Sequence, residues 1–398
     1  MSHEVLERIQ KIGPTLAEQA DSVEAAGRLP DETASMLKEC GVVRLLQPEA
    51  YGGYEAAPTV FFEAVMAIAR HCGASGWVSG IVGVHPWELA ICDPRVRDEV
   101  WGEDPDAWMA STYMPGGFAR PVEGGFEFTG RWQFSSGCDV SDWVILGGVI
   151  VDGDPPESGG GMAKLLADPS KYVHVIVPRS DVTIIEGTWD VVGLCGTGSK
   201  DVAVDGAFVP AYRTILASDV VGGTAAGLEG CSPLYRMPWG AIFPNAITAA
   251  VIGIAEGALE AALAHQGPRI SMASGPIVKS PVTMTAIGEA ASEIESCRIQ
   301  LLDVISRQWE YAQRGEPIPL ELRARSRRDQ VTTSWRATRA VDSLFDHAGG
   351  GALRRGTPLQ RLWRDAHAGL HHIINVREKV PHSYASVALG HAPVDGML

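Results

Sequence analysis

Residues 126–151 read FEFTGRWQFSSGCDVSDWVILGGVIV, and this stretch decides the class of fold. FEFTGRW and WVILGGVIV are short runs of β-branched and aromatic residues, which is the pattern of β-strands. YVHVIVP at 172–178 and VAVDGAFVP at 202–210 continue the pattern, and Gly, Asp and Pro separate the runs. We therefore predict a central β-domain over residues 108–215, in the form of a barrel or sandwich.

Helical patterns flank this region on both sides. Residues 1–107 contain a helix start at Pro30-Asp31-Glu32 and a break at Gly52-Gly53. Residues 216–398 carry apolar side chains at alternating spacings of three and four, which predicts a helix with one buried stripe: Ile287, Ala290, Ile294, Cys297, Leu301 and Val304. We predict an α+β protein with an N-terminal helical domain, the β-domain and a C-terminal helical bundle, an unusual order for a cofactor enzyme.

The composition narrows the classes of function. The 398 residues carry a formal net charge of −15 and no long run of Lys or Arg, which argues against nucleic acid or a membrane surface as the main partner. The seven cysteines form no CxxC pair, so we predict a reduced, cytoplasmic protein. The sequence shows no secretion signal, no apolar run of membrane-spanning length, and no Rossmann, P-loop, zinc-protease or serine-hydrolase motif.

One long insertion interrupts the predicted strands. Residues 152–171, DGDPPESGGGMAKLLADPSK, contain prolines and glycines that cannot propagate a strand. We predict a surface loop here. The sequence does not decide whether this loop is inert or gates a site.

Several segments together resemble the flavin-dependent hydroxylase branch of the acyl-CoA dehydrogenase superfamily. They are GASGWVSGIVGVHPWELA at 73–90, GRWQFSSGCDVSDW at 130–143, VVGLCGTGS at 191–199, MPWG at 237–240, HQGPR at 265–269 and QRLWRDAHAG at 360–369. Within that branch the similarity is greatest to hydroxylases of a phenolic secosteroid (3-HSA) and weaker to p-hydroxyphenylacetate hydroxylases. The resemblance implies an acyl-CoA dehydrogenase-like fold whose C-terminal four-helix bundle carries the flavin site and the oligomer contacts.

The resemblance also implies the oxygenase component of a two-component monooxygenase. Such a component takes reduced FMN or FAD from a separate NAD(P)H-dependent flavin reductase. It reacts with O2 to form a C4a-hydroperoxyflavin and hydroxylates an aromatic small molecule ortho to a phenolic oxygen. The family further implies a homotetramer.

An acyl-CoA dehydrogenase is the main alternative, and the segment after RDA argues against it. That enzyme needs a carboxylate base, which many members carry shortly after this segment. Residues 366–377 contain no Asp or Glu, and Ile373 stands at the expected position. A base on another helix, an N- or S-oxygenating relative and an inactive binding protein remain open.

Histidines replace that carboxylate, and imidazole is suited to hold a proton near neutral pH. By resemblance, His372 donates a hydrogen bond to the hydroperoxide, and His85 binds the phenolic oxygen of the substrate. His367 and His371 are four residues apart with Asp365 nearby, but no convincing third ligand accompanies them, so we predict no metal site. Packed structural histidines remain the alternative reading.

The same resemblance assigns flavin contacts around the end of the FEFTGRWQF run. Ser135 and Ser136 meet flavin N5 and C4a, which makes Ser136 a catalytic candidate, and Trp77 lines the flavin and substrate pocket. Phe134 is a further flavin-lining candidate, although the relatives carry tryptophan there. A serine turn that ends a strand and ordinary core aromatics are the structural alternatives.

The phosphate side of the flavin is assigned to the C-terminal half. By resemblance, Arg269 reaches the flavin phosphate, and Gly349 and Gly350 let the backbone of a neighbouring subunit approach the cofactor. Read alone, this glycine run is a helix terminator. Cys195 replaces an arginine and Val376 an aspartate of the relatives, so we expect the substrate to differ from theirs.

Overall fold

Eleven α-helices and nine β-strands make up the part of the chain that the computed structural model describes, which is residues 3–153, 168–222, 232–272 and 275–397. Most of the predicted loop at 152–171 lies outside these residues. The chain begins with five helices: α1 Glu4–Ala26, α2 Asp31–Cys40, α3 Pro58–His71, α4 Gly73–Ala90 and α5 Pro94–Trp101. The predicted start at Pro30 is confirmed, since Pro30 caps α2.

Helix α4 is buried along its whole length. Its glycines make this burial possible, because a Cβ at Gly76 would lie 2.3 Å from Ala69 Cβ and a Cβ at Gly83 would lie 2.5 Å from the Phe61 ring. The close approach of α3 leaves Trp77 and His85, two helical turns apart, on a common face. The glycine spacing therefore fixes both side chains relative to the core.

Seven strands form the central sheet, in the order β5-β6-β2-β1-β3-β4-β7. Their bounds are β1 Met109–Val122, β2 Gly125–Ser135, β3 Trp143–Ile150, β4 Tyr172–Pro178, β5 Thr183–Ile185, β6 Lys200–Pro210 and β7 Thr214–Leu216. Among the described strands of this sheet, only β1 and β3 pair in parallel. The strands were predicted as a barrel or sandwich, but within the described residues they form one hydrogen-bonded sheet whose end strands, β5 and β7, do not pair.

The sheet nevertheless curves around its own apolar core. Val175 of β4 and Val202 of β6 are not on neighbouring strands, yet both belong to one buried cluster with Phe128 and Trp132 of β2. A strongly twisted sheet buries one face in this way. The periodicity of short strands predicts their existence but not their pairing partners, which explains the difference from the predicted form.

The remaining chain returns to helices. They are α6 Ala217–Gly222, α7 Trp239–Gln266, α8 Pro281–Arg314, α9 Leu320–Asp346, α10 Pro358–Leu370 and α11 Val380–Ala388, with a short hairpin of β8 Ile270–Ser271 and β9 Gly275–Pro276. The stripe predicted on α8 packs inward, with Ile287 at its partly buried edge. Helices α7, α8, α9 and α10 pack together, and α3 and α4 also pack on α7.

The two helical regions share one core. Phe61 of α3, Ile252 of α7 and Leu301 of α8 belong to the same buried cluster. Residues 1–107 and 216–398 therefore bury their apolar faces against each other. The boundaries at 107/108 and 215/216 remain predictions about how the chain divides.

Helix α7 corrects one reading of the sequence. It is long and apolar enough by composition to cross a membrane, with a mean hydropathy of 1.6 over its best window, although no such run was recognised in the sequence. Of that window, 72% is buried inside the protein. The helix is apolar all round because other helices surround it.

Asp365 of α10 connects that helix to the loop at Leu194 and to the start of α4. Its Oδ1 accepts a hydrogen bond from Leu194 N at 2.6 Å, and its Oδ2 would lie 2.7 Å from a Cβ at Gly73, the first residue of α4. Burial raises the pKa of this carboxyl to about 6, although the Leu194 N–H and nearby arginines oppose the shift. Folding therefore favours the protonated form of this carboxyl.

We expect Asp365→Asn to stabilise the protein above pH 6. Because the folded-state pKa is raised from 3.8 to about 6, the stabilising contribution of the Asp365 carboxyl to the free energy of unfolding is fully present below pH 4. This contribution is lost as the pH rises to 6. The variant avoids that loss, so its free energy of unfolding in urea should exceed the parent's by about 3 kcal/mol at pH 8. The gain should shrink towards zero near pH 4. Asp205→Asn, at an exposed position of β6, is the control, and an equal gain at pH 4 and pH 8 would contradict the assignment.

Candidate active site

Side chains from separate segments meet around the ring of Trp77 on α4. Trp77 Nε1–H donates to Ser136 Oγ at 3.3 Å, and Ser136 Oγ shares a hydrogen bond with Ser199 Oγ at 2.7 Å. The Trp77 ring also lies edge-on to the His372 ring, with 5.8 Å between centroids. The structure thus brings together three of the residues that the sequence selected: Trp77, Ser136 and His372.

The irregular end of β2 positions the serines. The pairing of β2 with β6 shifts register between Trp132 and Ser135, and Phe134 has a φ of 68°. Such bulges redirect the side chains that follow them. Ser135 is buried, and its Oγ has no hydrogen-bond partner among the described residues. A buried hydroxyl without a partner is costly, so it is suited to bind the polar edge of a ligand.

Phe134 stands apart from this cluster. Its ring is 64% exposed and lies edge-on to Trp189, with 6.2 Å between centroids. Within one chain it does not contact Trp77 or His372 through any described ring contact. Its predicted place against the flavin is therefore on the outer side of the site.

His372 begins the turn Ile373–Asn375, directly after α10. Its Nδ1 accepts a hydrogen bond from Ile374 N at 3.2 Å, and burial lowers its pKa to about 4. The ring is therefore neutral near pH 7, and its proton must reside on Nε2 because Nδ1 is an acceptor. His372 presents an N–H donor to the site.

A buried polar network holds this turn in place. Asn375 Nδ2 donates to Gly369 O at 2.9 Å, and Gln330 Nε2 donates to Asn375 Oδ1 at 3.0 Å. Arg327 donates to Ile374 O at 2.8 Å and pairs with Asp395 at 3.0 Å. Since these groups are buried and satisfied, the turn has little freedom to move.

A row of aromatic rings connects His372 with His85. The Phe243 ring lies 6.2 Å from His372 and 4.9 Å from Tyr113, and the Trp239 ring stacks on Phe243 at 5.1 Å. The Tyr113 ring lies 5.8 Å from His85. These rings form one apolar wall, suited to contact a flat apolar ring, with one histidine at each end.

His85 belongs to a buried chain of polar groups. Its Nδ1 lies 3.1 Å from Tyr113 Oη, Tyr113 O–H donates to Glu88 Oε2 at 2.5 Å, and His174 Nδ1 lies 2.6 Å from Glu88 Oε1. Burial lowers the pKa of His85 to about 4. Burial alone would raise the pKa of Glu88, but the charge and hydrogen bond of His174 and the Tyr113 hydroxyl outweigh it and lower that pKa. Glu88 is thus a buried carboxylate.

The other histidines of the segment lie elsewhere. His367 Nε2 pairs with Asp342 at 2.7 Å, and its ring packs edge-on to Trp363. His371 is exposed. Across the described residues, no three His, Cys, Asp or Glu side chains are grouped so that they could hold a metal ion.

Arg269 lies at the opposite end of α7 from the aromatic pocket. Its guanidinium donates to His347 O at 2.8 Å and packs against Gly349, where a Cβ would lie 2.1 Å from Arg269 Nη2. Trp77 lies beside Val251, since a Cβ at Gly369 would contact both, and Val251 precedes Gln266 by 15 residues on α7, which at 1.5 Å per residue is about 22 Å. Arg269, Gly349 and the adjacent Gly350 therefore do not join Trp77 and His372 within one chain.

Sequence reasoning missed Glu88, Tyr113 and His174. Glu88 could have been found, because it is the one acid in the otherwise apolar stretch 73–90, and a charge in such a helix indicates a function. Tyr113 lies where the pairing of β1 with β3 shifts register after Thr112, a bulge that the sequence does not reveal.

The comparisons with known sequences cover nearly the whole chain. Residues 245–377 match the family described as Acyl-CoA dehydrogenase, C-terminal domain. The pigment production hydroxylase of Rhodococcus erythropolis is 46% identical over 394 residues, 99% of this chain and 98% of the relative. The flavin-dependent monooxygenase oxygenase subunit HsaA of Rhodococcus jostii (strain RHA1) is 42% identical over 99% of this chain and 100% of the relative.

Solved structures agree with these sequences. The 3-HSA hydroxylase from Rhodococcus sp. RHA1 has a TM-score of 0.92 and 41% identity, covering 100% of this chain and 99% of its own. XiaF from Streptomyces sp., solved in complex with FADH2 and glycerol, has a TM-score of 0.90 and 26% identity, covering 99% and 97%. The likeness therefore includes every segment of the site.

Proposed function

Because this chain belongs to the oxygenase components of two-component flavin-dependent monooxygenases, on the acyl-CoA dehydrogenase-like fold, we propose that it hydroxylates a phenolic ring ortho to its oxygen, in the aromatic pocket between His85 and His372. As such a component it acts on an aromatic substrate with reduced FMN or FAD and O2, and it depends on a separate flavin reductase. NAD(P)H as the reductant of that partner and a cytoplasmic location are part of the proposal.

The residues at the pocket fit a flavin ring. The Trp77 indole supplies a flat apolar face, and the buried Ser135 hydroxyl is free to bind a ring edge. Ser136 lies beside it but is already bonded to Ser199 and Trp77, so it would exchange a partner on binding. When bound, the reduced flavin supplies two electrons and activates O2 for transfer of one oxygen atom.

The protein's own groups control water and protons. The rings of Trp77, Phe243 and Trp239 exclude bulk water from the pocket. His372 Nε2–H donates a hydrogen bond to the transferring oxygen, and His85 binds the phenolic oxygen. The observation that carries this proposal is the pair of neutral histidines at the two ends of one aromatic wall.

The separation of Arg269 from the pocket supports an oligomer. We place Arg269, Gly349 and Gly350 of a neighbouring subunit at the phosphate end of the flavin, because one chain cannot bring them to Trp77. A homotetramer then has about 170 kDa, four times 42.4 kDa. Light scattering tests this mass, and a monomer that binds reduced flavin at full affinity would refute the shared site.

The first test of the function is to mix the protein anaerobically with reduced FMN or FAD and then to add ¹⁸O-labelled O2 together with one of a panel of phenols. We expect delayed return of the oxidised flavin absorbance and a catechol that carries one labelled oxygen. Flavin reoxidation at the rate without protein, with turnover of acyl-CoA instead, would favour the dehydrogenase reading. The same chain purified with tightly bound oxidised flavin would point the same way.

We expect His372→Asn to uncouple oxygen use from hydroxylation. Asn can replace Nδ1 as the acceptor for Ile374 N, so the turn should remain, whereas the Nε2–H donor is lost. Hydrogen peroxide per flavin oxidised should rise several-fold and catechol should fall, as measured by peroxidase assay and chromatography. His371→Asn, on an exposed neighbour, is the control, and equal peroxide yields in the two variants would contradict the role of His372.

A further inference from the structure

We propose that Glu88 and Tyr113 fix the tautomer of His85, so that its Nε2 is a bare acceptor and the enzyme selects aromatic substrates that carry a hydroxyl donor. The part of this inference that concerns the substrate rests on the proposed function, whereas the part that concerns the tautomer does not. Neither the Glu88 carboxylate nor the Tyr113 hydroxyl is expected to bind the substrate hydroxyl, because each is already bonded within this chain of groups. They are positioning residues that act through His85.

The single hydroxyl hydrogen of Tyr113 decides the direction of both of its hydrogen bonds. Its hydroxyl carries one hydrogen and lies 2.5 Å from Glu88 Oε2 and 3.1 Å from His85 Nδ1. A carboxylate is an acceptor only, so the shorter contact must use the Tyr113 hydrogen. The Tyr113 oxygen can then only accept from His85, and Nδ1 must carry a hydrogen.

The imidazole ring of His85 is uncharged near pH 7. His85 is fully buried, and burial lowers its pKa to about 4, so the ring holds a single proton near pH 7. That proton is on Nδ1, which leaves Nε2 with an open lone pair. Nε2 is buried and has no hydrogen-bond partner among the described residues. It is therefore an acceptor prepared for a donor that comes from outside the chain.

The groups around His85 support this arrangement. Glu88 on the same helix is ionised, and His174 of β4 donates to its second oxygen, so the carboxylate has a partner for each oxygen. Tyr172, also of β4, donates to the backbone oxygen of Tyr113 and holds the bulge. Because hydrogen bonds in a buried chain polarise one another, the negative charge of Glu88 makes Nε2 more basic.

This geometry gives His85 the role of a general base during oxygen transfer. As the ring carbon bonds to one oxygen atom of O2, the phenolic O–H becomes acidic, its proton moves to Nε2 and its electron pair remains with the substrate. The carbon that gains oxygen then releases its own proton to solvent as the ring regains aromaticity, and Nε2 returns its proton to the phenolic oxygen. The second oxygen atom leaves as water, for which the reduced flavin would supply two electrons and two protons. The buried Glu88 carboxylate offsets the positive charge that His85 gains.

The same geometry predicts selectivity. A substrate with an aromatic O–H satisfies Nε2, whereas a sulfur heterocycle or an aryl methyl ether leaves that buried atom without a donor. Discrimination against an analogue that lacks the required hydrogen bond can reach roughly 10⁴-fold. Hydroxyl-bearing rings are therefore the substrate class that the tautomer admits.

The decisive variant is Tyr113→Phe, with Tyr235→Phe as the matched control. Tyr235 is another buried tyrosine, whose hydroxyl donates to Leu46 O at 3.2 Å and lies outside this chain of groups. Solid-state ¹⁵N spectra of histidine-labelled protein distinguish the two tautomers, and the His85 signal is assigned by its loss in His85→Asn. We expect the Nδ1–H form in the parent and in Tyr235→Phe, and the Nε2–H form in Tyr113→Phe.

Kinetics provide the second readout. At pH 7 the Tyr113→Phe variant should hydroxylate a phenol about 100-fold more slowly with KM changed only a few-fold, because general-base assistance is typically worth that much. Its rate should recover about tenfold per pH unit as the phenol, of pKa about 10, ionises in solution. The parent should show no such rise between pH 7 and 9.

The outcomes separate this inference from the proposed function. An Nε2–H tautomer in the parent, or no tautomer change in Tyr113→Phe, would overturn the inference whatever the substrate. A parent with the expected tautomer but no turnover of any phenol would refute the proposed function alone. An aryl methyl ether oxidised as fast as its phenol would refute the selectivity.

Discussion

The His85→Asn variant will hydroxylate its substrate at least 100-fold more slowly than the parent in a single turnover, while reduced flavin binds with unchanged affinity. Asn can keep a donor at the place of His85 Nδ1 and so retain the contact with Tyr113, but it has no group at the place of Nε2. A positioned general base contributes about 10²- to 10⁴-fold to a rate. The measurement is rapid mixing of the enzyme–reduced flavin complex with O2 and phenol, with product quantified by chromatography.

The matched control for His85 is His367→Asn, which removes an imidazole paired with Asp342 outside the pocket. Its rate should stay within a factor of two of the parent. If His85→Asn also retained the parent rate, the phenol would have to be activated by another group. If both variants slowed equally, the effect would be one of folding, which thermal melting of the two proteins would reveal.

The second large effect concerns Arg327. We expect Arg327→Met to lower the free energy of unfolding by about 3–5 kcal/mol, because loss of one partner strands a buried charge on the other. Asp395 pairs with this guanidinium at 3.0 Å, and both side chains are less than 10% exposed. Ile374 O and Gln330 lose a donor as well. Urea unfolding at pH 7 measures the loss.

Arg307→Met serves as the comparison for Arg327. Arg307 pairs with Asp303 one helical turn away and is 54% exposed, and exposed pairs of this kind are worth about 0–1 kcal/mol. Since Arg327 supports the turn that begins at His372, its variant should also leak more hydrogen peroxide. A loss below 1 kcal/mol, with unchanged peroxide yield, would show that the network does not hold the turn.

The fold could be predicted well because its strongest patterns are local. The apolar stripe from Ala290 to Val304 predicts a helix and the run WVILGGVIV predicts a strand, and the structure confirms both. The strand order could not be predicted, because β1 pairs in parallel with β3 although β2 lies between them in the sequence. The shared core of α3 and α7 likewise depends on contacts between segments nearly 200 residues apart in the chain.

The residues of the candidate site could likewise be predicted only in part. Trp77, Ser136 and His372 were selected by resemblance to a family, and the structure brings them into contact. Tyr113 and His174 lie on strands whose sequences read as ordinary sheet, and only the bulge after Thr112 turns Tyr113 towards His85. The resemblance therefore identified residues on helices and turns but not those that the sheet contributes.

The closely packed glycines of α4 limit which positions can be substituted to change the substrate range of the enzyme. Because α4 packs so tightly against α3, it tolerates no larger residue at Gly76 or Gly83, and the position of His85 is fixed. Phe134 and Val192 instead lie at the surface, 64% and 77% exposed. Substitutions at such outer positions leave the alignment of the buried residues unchanged.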